Sequence, residues 1–204
     1  SRGLGDVYKR QPLWFTAEGG WEKSKNVDLY IRYAEKITKE LGDYSDMICT
    51  INEANLTSCF AHSFPSYPAG GMKTLMPFVS EAAKSCGSTL ENFGPFLFGH
   101  PFKIRDCMME AHVKSFPVIK ENLNNDQPVG ITLSIMDYQC VEGGESVRNE
   151  AHKESVDVCL DQTKNDDFIG IQTYTRHTFG PDGIITPNLK TSDTVSYTHL
   201  RAHE

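Results

Sequence analysis

Three amphipathic helices alternate with three short apolar strands along this chain, and that order admits few architectures. From Val27 to Leu41 the apolar residues Val27, Tyr30, Ile31, Ala34, Ile37 and Leu41 recur at three- and four-residue steps, with Lys36, Lys39 and Glu40 between them. This is the period of a helix with one buried face, and Gly42 stands where such a helix ends. Met47 to Ile51 follows, short and apolar or β-branched, and reads as a buried strand. A second helix is predicted from Lys103 to Asn122 on Ile104, Cys107, Met108, Ala111, Ser115, Val118 and Ile119, with Pro117 expected to kink or split it. Val129 to Ile135 reads as a strand. Glu145 to Leu160 reads as a third helix on Val147, Ala151, Val156, Cys159 and Leu160, and Phe168 to Tyr174 as a strand entered through Asn165-Asp166-Asp167. Repeated βα order predicts a parallel sheet. A doubly wound sheet and a barrel both satisfy it. The polar residues at strand C-terminal ends, Asn52 and Glu53 in one place and Gln172 and Tyr174 in another, suit either.

Residues 56 to 102 gather Phe64, Pro65, Pro68, Gly70, Gly71, Phe93, Gly94, Pro95, Phe96, Phe98 and Gly99, with one weaker helical stretch near Thr74 to Ser85. A connection this long inside a compact domain is functional or carries small elements of its own, and it is expected to form a lid-like excursion over the face where Glu53 emerges. No Gly-rich phosphate loop follows any strand, which argues against a nucleotide-binding sheet. The six cysteines fall at irregular spacings without a C-x-x-C, so free thiols in a reducing, cytoplasmic setting are expected rather than a disulfide framework. No apolar run approaches the roughly 18 residues of a membrane span. The chain carries 20 Lys and Arg against 27 Asp and Glu, a formal charge of −7, and no basic cluster, so neither nucleic acid nor a membrane is an expected partner.

Several blocks together carry a resemblance. Pro12-Leu13-Trp14-Phe15, Gly19-Gly20-Trp21, Tyr33-Ala34, Leu41-Gly42-Asp43, Thr50-Ile51-Asn52-Glu53, Ala111-His112, Val129-Gly130-Ile131-Thr132 and Asp167-Phe168-Ile169-Gly170-Ile171 resemble, in this order, the family 1 glycoside hydrolases, the β-glucosidase group. Thr-x-Asn-Glu alone is a weak signal, because related barrel glycosidases share Asn-Glu. With the Gly-Gly-Trp block upstream and the Phe-Ile-Gly-Ile block downstream it is strong.

The resemblance implies an α/β fold, a partial (β/α)8 TIM barrel: an open arc covering about strands four to six and helices three to five. It implies that Glu53 is the catalytic acid/base, that Asn52 binds the sugar 2-hydroxyl, that Tyr174 orients the nucleophile, and that Gln172 lies in the sugar pocket. No cofactor is implied. The substrate is a β-linked oligosaccharide or an aryl or alkyl β-glycoside. Retaining hydrolysis needs two carboxyl groups about 5 Å apart, one to protonate the departing oxygen and one to attack the anomeric carbon. The family places the second in a Thr-Glu-Asn-Gly motif on the seventh strand, and no such motif occurs here. The chain as written is therefore expected to be inactive, although its parent is expected to be an enzyme. Two further readings stay open, a 6-phospho-β-glycosidase of the same fold and a non-catalytic sugar-binding or scaffold barrel. Two positions depart from the family pattern: Ala54 stands where Pro is usual, and Gln172 where Asn is usual.

Ser1 to Gln11 and Val195 to Glu204 match no structural period and resemble translated sequencing-adaptor sequence of the kind found at the edges of metagenomic reading frames. The natural polypeptide is expected to span residues 12 to 194. Without both ends, Lys and Arg fall to 16, Asp and Glu to 25, and the charge to about −9. Three strands of a barrel expose two edges, so the isolated chain is expected to be insoluble or molten.

Simpler roles compete at several positions. By itself the tetrapeptide fits a solvated strand-end carboxylate better than an acid/base, and only the ordered blocks reverse that. Trp14 could stack on a sugar or merely pack, and Trp21 is expected to pack. His62, His100 and His177 sit in loops that could border a cleft, but their scatter makes no metal site. Asn55-Leu56-Thr57 matches the glycosylation sequon, which at an active-site rim is expected to be accidental.

Overall fold

The computed structural model describes residues 12–64 and 69–185. The end segments 1–11 and 195–204 lie outside them. In chain order the elements are helices α1 (Leu13–Ala17) and α2 (Val27–Leu41), strand β1 (Ile48–Asn52), helices α3 (Leu56–Ser63), α4 (Ala69–Ser85) and α5 (Pro101–Glu121), and strands β2 (Val129–Ser134) and β3 (Asp137–Cys140). Helix α6 (Glu145–His152) then passes through a π-turn at Lys153–Asp157 into α7 (Val158–Leu160), and β4 (Phe168–Gln172), β5 (Arg176–Gly180) and β6 (Gly183–Ile184) follow. All three predicted helices and strands are present. Pro117 does not split the second helix, which is assigned as one element from Pro101 to Glu121. The third is interrupted by the π-turn.

Strands β1, β2 and β4 form a parallel sheet in that order, an open arc with β2 in the middle. Val129, Ile131 and Leu133 of β2 are fully buried on the side facing the helices. Helix α5 lies against α2 and the arc, and Ile104, Cys107, Met108, Met109 and Ala111 meet Ile51, Ile131 and Leu133 in one core. Burying the Ile, Leu and Met side chains of this core is the main stabilising term, at roughly 1.5–3 kcal/mol each.

Beyond the sheet the β2–β4 ladder carries on. The Ile135 amide donates to the Gln172 carbonyl (3.0 Å) and the Asp137 amide to that of Thr175 (3.1 Å). This leads into a second sheet, β3-β5-β6, which the sequence reading did not foresee. Its core is Cys59, Met136, Tyr138, Ala151, Val156 and Phe179.

The long connection divides in two. Helix α3 turns back from the end of β1, while residues 88–100 are tied to the N-terminal segment: the Ser88 hydroxyl donates to the Ala17 carbonyl (2.8 Å), the Gly94 amide to Thr16 (2.9 Å) and the His100 amide to the Glu22 carboxylate (2.7 Å). A Cβ on Gly94 would lie 2.1 Å from the Gly19 carbonyl oxygen, so only glycine allows the approach.

At the strands' entry end sits a buried pair. The Thr50 hydroxyl donates to the Gly130 carbonyl (3.1 Å) and lies 2.8 Å from His112 Nδ1, which must then carry the ring proton. His112 Nε2 faces Asp166 Oδ2 at 3.1 Å, outside good hydrogen-bond alignment, with both side chains nearly inaccessible. Burial pushes the His112 imidazole down to about 4, and burial followed by the Asp167 charge pushes Asp166 up to about 7. His112 therefore withdraws stability as pH falls from its unfolded value near 6.5 toward 4. Asp166 withdraws it as pH rises from 3.8 toward 7. In the overlap the folded and unfolded chains hold equal numbers of protons on the pair, and the slopes cancel. Asp166→Asn removes one slope, so the full-length variant should lose up to about 3 kcal/mol between pH 6.5 and 4 that the parent keeps, read from thermal melts across that range.

Candidate active site

At their C-terminal ends the three strands of the arc place one polar side chain each in a row. Asn52 pairs with Thr132 in the ladder, and the register shifts between Cys49 and Asn52. That bulge has a consequence for side-chain direction. Cys49 Sγ lies 3.8 Å from Thr132 Oγ1 and Asn52 Oδ1 lies 2.9 Å from it, so residues three apart share the inner face. The Thr132 hydroxyl donates to Asn52 Oδ1. Gln172 Nε2 donates to the same oxygen (2.5 Å) and reaches Thr132 Oγ1 (3.3 Å), and the Tyr174 hydroxyl donates to Gln172 Oε1 (2.5 Å). Asn52, Thr132, Gln172 and Tyr174 are one connected network. Gln172, the longer residue at a position where the resemblance implies Asn, spans from β4 past β2 to Asn52.

Glu53 stands one residue beyond β1 at the corner into α3. It is 1% exposed, and among the described residues it is the only non-glycine with positive φ, at 54°. Its amide donates to the Thr132 carbonyl (2.8 Å), and its carbonyl accepts from the Leu56 amide (3.0 Å). Ala54, where the resemblance implies Pro, is fully buried in the main core, so packing rather than a ring holds this turn.

Glu53 and Tyr174 line one cavity of about 320 Å³ together with Leu56, Phe60, Ser63, Phe64, Met136, Thr175 and His177. Its size is that of a small-molecule site. Glu53 is the one carboxylate among its lining residues. Burial lowers the His177 imidazole below its usual range, which favours the neutral ring. Cys59, on the inner side of α3, is pushed up to about 11 by burial, so it is no thiolate nucleophile.

The other candidates fall elsewhere. Trp14 is 57% exposed on α1, edge-on to Phe15, and is not a lining residue of the cavity. Trp21 packs against Phe15 and Tyr30, as expected. His62 Nε2 is 2.9 Å from Glu154 Oε2, and His100 Nδ1 accepts from the Lys103 amide to cap α5. Among the described residues no group of three His, Cys, Asp or Glu could hold a metal ion, and no helix is long and apolar enough to cross a membrane. Thr132 of the polar row and the lining residues Leu56, Phe60, Ser63, Phe64, Met136 and Thr175 were given no site role from the sequence. Thr132 had a usable signal, as a polar residue between Ile131 and Leu133 in a largely apolar strand.

Comparison with known proteins identifies the family and the fold. The model of Glycosyl hydrolase family 1 matches residues 10–195. The solved structure of the β-glycosidase BGL167 is similar at 32% identity and a TM-score of 0.75, over 86% of this chain and 42% of its own. That of the β-glucosidase 1317 is similar at 28% identity and a TM-score of 0.69, over 84% and 41%. The hyperthermophilic β-glucosidase from Pyrococcus furiosus, at 22% identity and a TM-score of 0.52, covers 81% of this chain and 31% of its own, and shares the fold. No curated protein matches the sequence. The chain thus spans about two fifths of the length of the first two of these structures, and its open arc is part of a (β/α)8 barrel. With a family match over nearly its whole length, the chain belongs to glycosyl hydrolase family 1.

Proposed function

We propose that this chain is part of a retaining β-glycosidase of the β-glucosidase type, in which Glu53 is the acid/base. Glu53 protonates the departing glycosidic oxygen, then takes the proton from the water that releases the sugar. Asn52 holds the sugar 2-hydroxyl, Gln172 continues the same polar row, and Tyr174 orients the attacking carboxylate. Trp14 would contact substrate only in subsites farther from the cavity. The substrate is a β-linked oligosaccharide or an aryl or alkyl β-glycoside, and no cofactor takes part.

The observation that carries this reading is the position of Glu53: a buried carboxylate at a strand's C-terminal end, walling a cavity beside a row of connected polar side chains. A buried carboxylate at such a place is a common device for presenting a proton to an acetal oxygen. The partner carboxylate is not a lining residue, and Thr-Glu-Asn-Gly does not occur in the sequence. We therefore assign the nucleophile to a part of the protein outside this chain. The test is hydrolysis of an aryl β-glucoside by the full-length protein and by this 204-residue chain. Turnover by the first and none by the second is expected. Turnover by the short chain, or none by a full-length protein carrying a Glu on strand seven, contradicts the proposal.

A further inference from the structure

We infer that Asn55 is the positioning residue of the acid/base, clamping the corner that carries Glu53 to the end of β2 and to the π-turn after α6. The inference rests on the reading of Glu53 as the proton donor. A non-glycine residue at positive φ persists only where its surroundings over-determine it, and Glu53 is such a residue at 54°. Its own side chain has to be aimed within a fraction of an ångström to deliver a proton. The question is therefore what fixes the corner.

The answer lies two residues on. Asn55 is 0% exposed, and its amide makes three bonds of 2.8 Å: Oδ1 accepts from the Ser134 amide, and Nδ2 donates to the carbonyls of Ser134 and Ser155. Ser134 is the last residue of β2, so Asn55 meets both its N–H and its C=O as a neighbouring strand would. Both donors and the acceptor of the side chain are used. Its backbone carbonyl accepts from the Ser58 hydroxyl (2.7 Å) and the Cys59 amide (3.1 Å), which starts α3.

Ser155 is available for a reason. It sits in the π-turn Lys153–Asp157, and a turn of that width displaces carbonyls from the regular ladder. The Arg105 guanidinium of α5 takes the Glu154 carbonyl, and Asn55 takes that of Ser155. The irregular helix thereby binds α3, α5 and the corner into one rigid unit. A fully buried Asn55 with its amide consumed is also no glycosylation acceptor in the folded protein, whatever its sequon.

A clamp that merely stabilised the fold would affect every substrate alike, whereas one that aims Glu53 affects those that need a proton. The experiment measures kcat/KM of the full-length protein and of Asn55→Leu on dinitrophenyl β-glucoside, whose leaving group departs unprotonated, and on an alkyl β-glucoside, whose leaving group must be protonated. The ratio of the two within one preparation does not depend on how much of it is folded. The ratio is expected to shift by about 100-fold against the alkyl substrate, the size of effect that a misplaced catalytic group produces. Asn55→Asp, which keeps the acceptor to Ser134 and sets a carboxylate against two carbonyls, should shift it in the same direction and serves if the Leu variant is not recovered. An equal loss on both substrates overturns the assignment. A full-length parent that cleaves neither substrate overturns the glycosidase reading beneath it instead.

Discussion

Glu53→Gln in the full-length protein should lower kcat/KM on an alkyl β-glucoside by about 10²- to 10⁴-fold and leave dinitrophenyl β-glucoside within about tenfold. The amide is nearly isosteric with the carboxyl, so the corner at φ 54° and the 1% exposure of the side chain should persist. What it loses is the proton. A leaving group that departs as a stable phenolate has no use for that proton, while an alkoxide cannot depart without it. The contrast between substrates isolates the acid role from the sugar binding proposed for Asn52 and Gln172, because both substrates present the same sugar. Steady-state kinetics on the two substrates, side by side, makes the measurement. A uniform loss would make Glu53 a binding residue.

The second large effect concerns the chain by itself. Ile131 and Leu133 of β2 pair in register with Ile169 and Ile171 of β4, and the first two are 0% exposed. Their partners on the edge strand are 38% and 55% exposed, because no helix among the described residues covers the outer face of β4. On the other flank Tyr33, Leu41 and Met47 are 60%, 52% and 55% exposed. Two unpaired strand edges flanked by apolar surface invite self-association. The 204-residue chain should sediment as large species and melt broadly, and Ile171→Lys should make it more soluble. In the full-length protein the same substitution should cost about 2 kcal/mol or more, because the outer helices of a closed (β/α)8 barrel cover that face of the strands. A sharp cooperative melt from a monomer of the short chain would contradict the account.

These two predictions draw on different parts of what the sequence made legible. The stripe from Val27 to Leu41 marked α2 at both ends, because helix period and end signals agree there. The alternation of such helices with the runs around Ile48, Val129 and Phe168 gave the parallel arc. Asn52, Glu53, Gln172 and Tyr174 could be placed at strand ends, and the structure joins three of them in one hydrogen-bonded row and sets Glu53 and Tyr174 in one cavity. Trp14 was not brought there.

The rest was hidden for physical reasons. Strands β3 and β5 are short and carry Asp137, Gln139, Arg176 and His177, so no apolar alternation announces them; they form because the β2–β4 ladder delivers them side by side. The bulge between Cys49 and Asn52 depends on the register against β2, which one strand cannot reveal. The π-turn looks like helix in its composition, and its effect appears only when Asn55 and Arg105 meet its carbonyls. Pro117 was expected to disturb α5, yet Asn122 and not the proline ends the helix.

In the proposed retaining reaction Glu53 both supplies and removes the proton. The deciding experiment gives the full-length Glu53→Ala variant dinitrophenyl β-glucoside with azide, an anion that needs no base and fits the space vacated by the carboxylate. Azide is expected to accelerate turnover and to yield the β-glycosyl azide. Turnover indifferent to azide, or an α-glycosyl azide, would contradict that role of Glu53.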